Sequence, residues 1–192
     1  NSGLGKTHLL NAIIEKIKSN NPDANIVYTT SENLTNELYF ALQTKTTHDL
    51  HNKYRTCDAL LIDDIQFIAG KGQMEEEIFH TFNIFTKEGK QLVFTSDKPP
   101  REIPKIEERL KTRFESGIIC DVQPPDFETR VAIIKNKSDA LRFDLPIDVC
   151  EFIAENIKSN VRQIGSAVKN IYAYCSFNEV IPTIEIAKDI LK

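Results

Sequence analysis

Residues 1–8 read NSGLGKTH, and the following LLNAIIEKIK places apolar side chains at Leu9, Leu10, Ile13, Ile14 and Ile17. The octet is the GxxxxGK[ST] phosphate loop short of its first glycine, which would fall immediately before Asn1. Gly3 and Gly5 let the backbone bend tightly around a polyphosphate. The periodicity after Thr7 predicts a helix over Lys6–Lys18 packed on a sheet, with the positive end of its dipole toward the same anion. In this pattern Lys6 neutralises the β and γ phosphates and Thr7 ligates Mg²⁺. A glycine-rich turn beside an unrelated lysine is the plain alternative, and the amphipathic helix weighs against it.

Outward from the loop, apolar β-rich runs at Ala24–Thr30 (ANIVYTT), Ala59–Asp64 (ALLIDD), Gln91–Asp97 (QLVFTSD) and Gly117–Gln123 (GIICDVQ) predict buried parallel strands. Helical patterns alternate with them at Glu32–Gln43, Asp49–Arg55, Met74–Thr86 and Lys105–Glu115. This alternation predicts an α/β fold, a parallel sheet sandwiched by helices. Pro124 and Pro125 close the last strand, and the rest reads as helix: Glu128–Leu141, Pro146–Ile157, Val161–Cys175 and a turn or two after Pro182. Asp126, either Ser159 or Asn160, and Thr183 suit the N-caps. The expected division is an α/β domain over residues 1–125 and a small all-helical domain over 126–192.

Four apolar residues followed by Asp63 and Asp64 put two carboxylates at the carboxyl end of a strand, where open α/β sheets bind ligands. Asp63 is the candidate for holding Mg²⁺, directly or through water, and Asp64 for orienting or deprotonating an attacking water. Alone, such a pair is often a turn or a cap. Ser96 and Asp97 end another strand, where a polar group could position that water, and before Pro99 and Pro100 they also suit a turn. Arg109 and Arg113 share one helix face, with Ile106, Leu110 and Phe114 on the other. Exposed arginines are ordinarily solvated, but in an oligomer one can reach a neighbour's phosphate, with effects on the order of 10³ to 10⁵ in rate.

Hydrophobic residues make up 41% of the 192-residue chain and charged residues 27%, which excludes the disordered and membrane classes. Lys and Arg total 24 against 28 Asp and Glu, a net charge of -4, so any nucleic-acid contact is local. Cys57, Cys120, Cys150 and Cys175 stand far apart, without a CxxC pair or a His at metal-ligand spacing. They read as buried thiols of a reducing cytosol, not as a zinc or disulfide framework. No apolar stretch approaches the roughly 18 residues of a membrane helix, and a cytoplasmic protein is expected.

The strings GLGKTHLLNAI, YRTCDALLIDDIQFIAGK, VFTSDKPP, ERLKTRFESGI and SNVRQI, in that order from Asn1 to about Ala173, resemble the AAA+ P-loop ATPase module of the bacterial replication initiator family DnaA. The resemblance implies ATP or ADP with Mg²⁺ at Gly3, Leu4, Gly5, Lys6, Thr7 and His8, with Thr7 and Asp63 on the metal. It makes Asp64 the second Walker B acid, Asp97 the sensor I residue and Arg113 an arginine finger acting in trans. Arg109 is then an inter-subunit companion, and Arg162 the sensor II arginine of a helical lid. A helix inserted within Glu32–Arg55 would be the initiator-specific element that keeps an ATP-bound filament open. Function follows as ATP-dependent oligomerisation on origin DNA and duplex opening, with slow hydrolysis by a weak ATPase as the off switch. Partners implied are double-stranded origin DNA through a domain outside this sequence, single-stranded DNA through this one, the replicative helicase and acidic phospholipids.

Departures from the family pattern are local. Lys71 matches a basic position that contacts single-stranded DNA, but Gln73 and Met74 stand where Arg and Thr are common, which implies weaker single-strand affinity. Arg162 is followed by Gln163, Ile164, Gly165 and Ser166, where an acid and a small-residue pair are usual. The strand and linker that clasp adenine in the family would precede Asn1, and the helix-turn-helix domain would follow Lys192. A DnaC-type helicase loader or an initiator-like regulatory paralogue shares most of these motifs. A P-loop small-molecule kinase needs an acceptor pocket and a lid arginine in cis, which the position of ERLKTRF does not supply.

Overall fold

The run ALLID has no solvent-exposed face: in the computed structural model of the chain, which describes residues 3–191, it is the central strand of a parallel sheet. The described residues divide into two units, Lys6–Cys120 and residues 121–191 with residues 3–5. In the first unit α1 (Lys6–Asn20) leads to β1 (Ile26–Thr30), α2 (Ser31–Thr44), α3 (Thr47–Arg55) and β2 (Ala59–Asp63). A 3₁₀ turn at Ile65–Ile68, α4 (Gly72–Glu88), β3 (Gln91–Phe94), a second 3₁₀ turn at Pro100–Glu102 and α5 (Glu108–Glu115) follow. β2 lies between β1 and β3, parallel to both, with Thr30 beside Asp63 and Phe94 beside Ile62.

Side chains alternate across a strand, and β2 uses both faces. Ala59 and Leu61 pack with Leu10 of α1, supported by Ile13, Ile14, Ile26 and Val93. Leu60 and Ile62 enter a larger core with Leu34, Leu38, Tyr54, Ile78, Phe85 and Leu110 from α2 to α5. Asp63 continues the first series, so the alternation delivers its carboxylate to the face where α1 begins. The crossover from β1 to β2 holds two helices, α2 and α3, and Arg55 of α3 pairs with Glu77 of α4 at 2.7 Å.

Four expectations are corrected. Gly117–Gln123 forms no strand, and Ile118 is 96% exposed. A strand is held by a ladder to its neighbour, and among the described residues none runs beside this segment. For the same reason Cys120 is exposed, while Cys57, Cys150 and Cys175 are buried as expected. The helix expected from Lys105 begins at Glu108, because Lys105 has φ 62, outside the right-handed helical region. Only β2 is buried throughout; β1 and β3 are partly covered.

The second unit contains α6 (Phe127–Ala140), α7 (Ile147–Asn156), α8 (Val161–Asn178) and α9 (Ile184–Ile190) around Ile134, Val149, Ile153, Ile164, Val168 and Ile171. Asp126 caps α6 by accepting from Thr129 N at 2.8 Å. Asn160, rather than Ser159, caps α8, accepting from Arg162 N at 3.0 Å and Gln163 N at 3.3 Å. Thr183 caps α9. Arg130 binds α6 to α7 by donating to the Ala154 carbonyl at 2.9 Å. No described helix is long and apolar enough to cross a membrane.

Leu61 is fully buried, and truncating a buried leucine typically costs about 2–5 kcal/mol. Leu61→Ala should therefore lower the urea midpoint of the α/β unit by an amount equivalent to that range, followed by circular dichroism. A surface control, Leu42→Ala on α2, should leave the midpoint nearly in place.

Candidate functional site

Asp63 ends β2 with only 4% of its surface exposed, so donors must replace the water its charge has lost. Three hydroxyls do so. Thr7 Oγ1, in the first turn of α1, donates to Oδ2 at 2.6 Å, and Tyr28 OH on β1 donates to the same oxygen at 3.3 Å. Thr95 Oγ1, just past β3, donates to Oδ1. Thr95 also receives Asp64 N on its hydroxyl at 2.9 Å and Ile65 N on its carbonyl at 2.9 Å, so it clamps both acids. The sheet register explains the convergence. Tyr28 is two residues beyond Ile26 and Thr95 two beyond Val93, both on the face that packs against α1. Partial burial pushes the Tyr28 phenol up, and the Asp63 charge adds to it.

Asp64 leaves the strand in the left-handed region, φ 56 and ψ 51, a conformation that costs an L-residue about 1–2 kcal/mol. Ser31 Oγ donates to its carbonyl at 2.7 Å, and Gln66 Nε2 to its Oδ1 at 3.2 Å. These bonds hold the chain as it turns out of the sheet into Ile65–Ile68. A strained residue fixed at the carboxyl end of the central strand is the kind of feature found at working sites.

Within the loop, Gly3 and Gly5 have φ 85 and 99, accessible to glycine and costly to other residues. Gly3 has a second reason: a Cβ there would collide with Asn160 Oδ1, and its carbonyl accepts Val161 N at 2.9 Å. Leu4 is half-buried and His8 exposed, and Lys6 opens α1. No acidic side chain occupies the first turn of α1, so the positive end of its dipole remains for an anion. Asn1 and Ser2 lie outside the described residues.

Other expected positions lie in the turn after β3, on α5 and on α8. Asp97 is half-buried in the turn after β3, where Ser96 accepts Lys98 N at 3.2 Å and so takes the turn-forming role. Arg109 and Arg113 lie on the exposed side of α5, over the Phe79 ring of α4 at 4.7 and 5.7 Å, and Arg109 also pairs with Glu107. Arg162 is the second residue of α8, in the helical unit. Lys71 immediately precedes α4; Gln73 is exposed, whereas Met74 is 1% exposed and belongs to the core, so it faces no ligand. Sequence reasoning missed Thr95, Tyr28 and Phe79. The first two could have been found by extending the strand alternation to the level of Asp63; Phe79 carries no such signal.

Thr7 Oγ1 and Asp63 Oδ2 present two hard oxygens 2.6 Å apart at the start of a helix. Mg²⁺ commonly takes one or two carboxylates and completes its octahedron with substrate phosphates and water, so these donors fit it. Among the described residues no group of three or more His, Cys, Asp or Glu forms a protein-only metal cage.

Residues 1–121 match the family of bacterial DnaA ATPase domains. Domain III of the Thermotoga maritima replication initiation protein DnaA is 36% identical, with a TM-score of 0.94 over 100% of this chain and 82% of that one. A replication initiator DnaA bound to AMPPCP and single-stranded DNA is 32% identical, with a TM-score of 0.79 over 93% of this chain and 56% of that one. AMPPCP-bound DnaA from Aquifex aeolicus is 33% identical, with a TM-score of 0.79 over 90% and 53%. The chain thus spans little more than half the length of these two longer structures. The family match covers the loop, both acids and both α5 arginines, while Arg162 lies beyond it.

The Tyr28 contact gives a direct check. In alkaline titration of tyrosinate absorbance, the difference between the native chain and Tyr28→Phe should have its midpoint above the ordinary 10.0. Asp63→Asn should bring it only part of the way back, because burial is the larger cause. A raised folded value means that this protonated phenol contributes stability fully below pH 10.0, lost as pH rises through the folded value.

Proposed function

The chain belongs to the bacterial DnaA ATPase domain family, and on that premise we propose that it is the ATP-switched assembly core of a chromosomal replication initiator. It takes ATP or ADP with Mg²⁺, oligomerises on origin DNA in the ATP state, helps open the duplex, and is reset by slow hydrolysis. The observation that carries the reading is the 2.6 Å bond from Thr7 to Asp63, which joins the phosphate loop to the acids ending the central strand.

In this reading the amides of Gly3, Leu4 and Gly5 and the start of α1 surround the phosphates, with His8 alongside and Lys6 supplying the point charge. Thr7 and Asp63 would hold Mg²⁺, whose charge offsets that of the phosphate oxygens. Asp64 accepts the proton of the attacking water or orients it, and Asp97 positions that water. Thr95 ties the Asp63 carboxylate to the backbone of Asp64, since its hydroxyl donates to the first and accepts the amide of the second. Arg113 of a neighbouring subunit stabilises charge on the transferred phosphate, with Arg109 beside it at the subunit contact. Arg162 reports the bound nucleotide to the helical unit.

Relatives described as bound to AMPPCP and to single-stranded DNA support the nucleotide and the single-strand ligand. Lys71 is assigned the strand contact, aided neither by Gln73 in place of a cation nor by the buried Met74. Double-stranded origin DNA, the replicative helicase and acidic phospholipids are the partners of the whole initiator, which acts in the cytoplasm.

Two variants of the full-length protein test this. Lys6→Ala should abolish ATP binding in titration calorimetry, and unchanged affinity would refute the site. Arg113→Ala should retain ATP yet lose filaments on origin DNA by electron microscopy, and origin DNA should no longer raise its hydrolysis above that of the unassembled protein. Normal filaments would remove its role in trans.

A further inference from the structure

Glu75 is the buried charge that the site above leaves unused. It is 1% exposed on α4, and each carboxylate oxygen accepts a backbone amide from a different segment. Gly70 N donates to Oε1 at 2.7 Å and Glu107 N donates to Oε2 at 2.7 Å. Gly70 ends the turn that leaves Asp64 and leads into Lys71; Glu107 immediately precedes α5, the helix of Arg109 and Arg113. The two segments also meet directly, since Lys105 Cβ and Cδ stand 3.9 Å from the position a Cβ would take at Gly70. One turn along α4, Phe79 underlies both arginines at 4.7 and 5.7 Å. Residues four apart share a helix face. One face of α4 therefore holds both the amide that starts α5 and the guanidinium groups that α5 displays.

A buried carboxylate loses its hydration unless its lone pairs are used. An apolar side chain of similar size would pack these segments together without that loss. It would not fix the position of either amide, because packing is non-directional whereas charge-assisted hydrogen bonds are short and directional.

We propose that Glu75 is a positioning residue that sets the spacing between the Lys71 turn and the arginine helix, so that nucleic acid at Lys71 and a neighbour's nucleotide at Arg113 bias each other's binding. The inference rests on the proposed function, which supplies the two ligands. A strand drawn onto Lys71 shifts Gly70, and the carboxylate carries that shift to Glu107 and the start of α5. Linkage makes the effect reciprocal: nucleotide engaged by Arg113 tightens the Lys71 turn on its strand.

The test uses the full-length protein and a fluorescein-labelled oligothymidylate. Its dissociation constant is read by anisotropy with AMPPCP and with ADP at one fixed salt concentration, because phosphate contacts are salt-dependent. In the native protein AMPPCP should tighten binding by about tenfold, within the usual span of allosteric coupling. Glu75→Gln presents an amide nitrogen to one of the two donors and should bring that ratio close to one, with AMPPCP affinity by calorimetry unchanged. A second pair removes the partner instead. Glu107 has φ −64, already in the proline range, so Glu107→Pro deletes the N–H while Glu107→Ala keeps it and controls for the lost side chain. The proline variant should lose the ratio and the alanine variant keep it. A full ratio in Glu75→Gln, or equal ratios in the two Glu107 variants, overturns the role of Glu75; if Glu75→Gln does not fold, the Glu107 pair decides. Native protein that binds both ligands with a ratio of one overturns the coupling alone, whereas native protein that binds neither overturns the proposed function.

Discussion

A carboxylate withdrawn from water at the end of a strand can be accommodated only if hydrogen-bond donors reach it from several directions, and Asp63 imposes that demand on the α/β unit. Its three donors come from α1, β1 and the residue after β3. None of these is near it in sequence, so the parallel register and the crossing of α1 over the sheet must be right together for the charge to be satisfied. The apolar residues of β2 supply most of the driving force for burial. They would tolerate small slips in register; the acid at the strand's end would not, because a slip of one residue sends every side chain to the opposite face.

The same economy recurs on α4. Met74, Ile78 and Phe85 bury one side of that helix in the larger core, while Glu75 and Phe79 hold the segments on either side of it. The Arg55–Glu77 pair, with side chains 20% and 11% exposed, secures α3 against the same helix. α4 thus connects the helices of the β1–β2 crossover to the arginine-bearing α5. Its polar contacts decide where neighbouring elements sit, while the apolar ones hold them there.

Periodicity and motif spacing located β1, β2, β3 and most helices to within a few residues, since each rests on a local apolar pattern or a cap. Failures occurred where a neighbour decides. Gly117–Gln123 has strand composition, but composition does not supply a ladder partner, and Ile118 and Cys120 stay exposed without one. Lys105 has no residue-type signal for the left-handed region, so the apolar pattern runs three residues ahead of the start of α5. Thr95 and Tyr28 looked like ordinary strand residues because their partner, Asp63, lies 32 and 35 positions away.

The sequence by itself determined the alternating α/β class, the phosphate-loop glycines with Lys6 and Thr7, the acids at the end of the apolar run, and membership of the DnaA family. The class and the motifs are written in short-range spacing, and the family in the resemblance of five strings taken in order along the chain. Only the tertiary structure decided that Thr7, Tyr28 and Thr95 share Asp63, that Met74 belongs to the core, that Phe79 underlies the α5 arginines and that Glu75 ties two loops together. Those pairings join residues distant in the chain, and their geometry is set by register and helix packing, which no local pattern encodes.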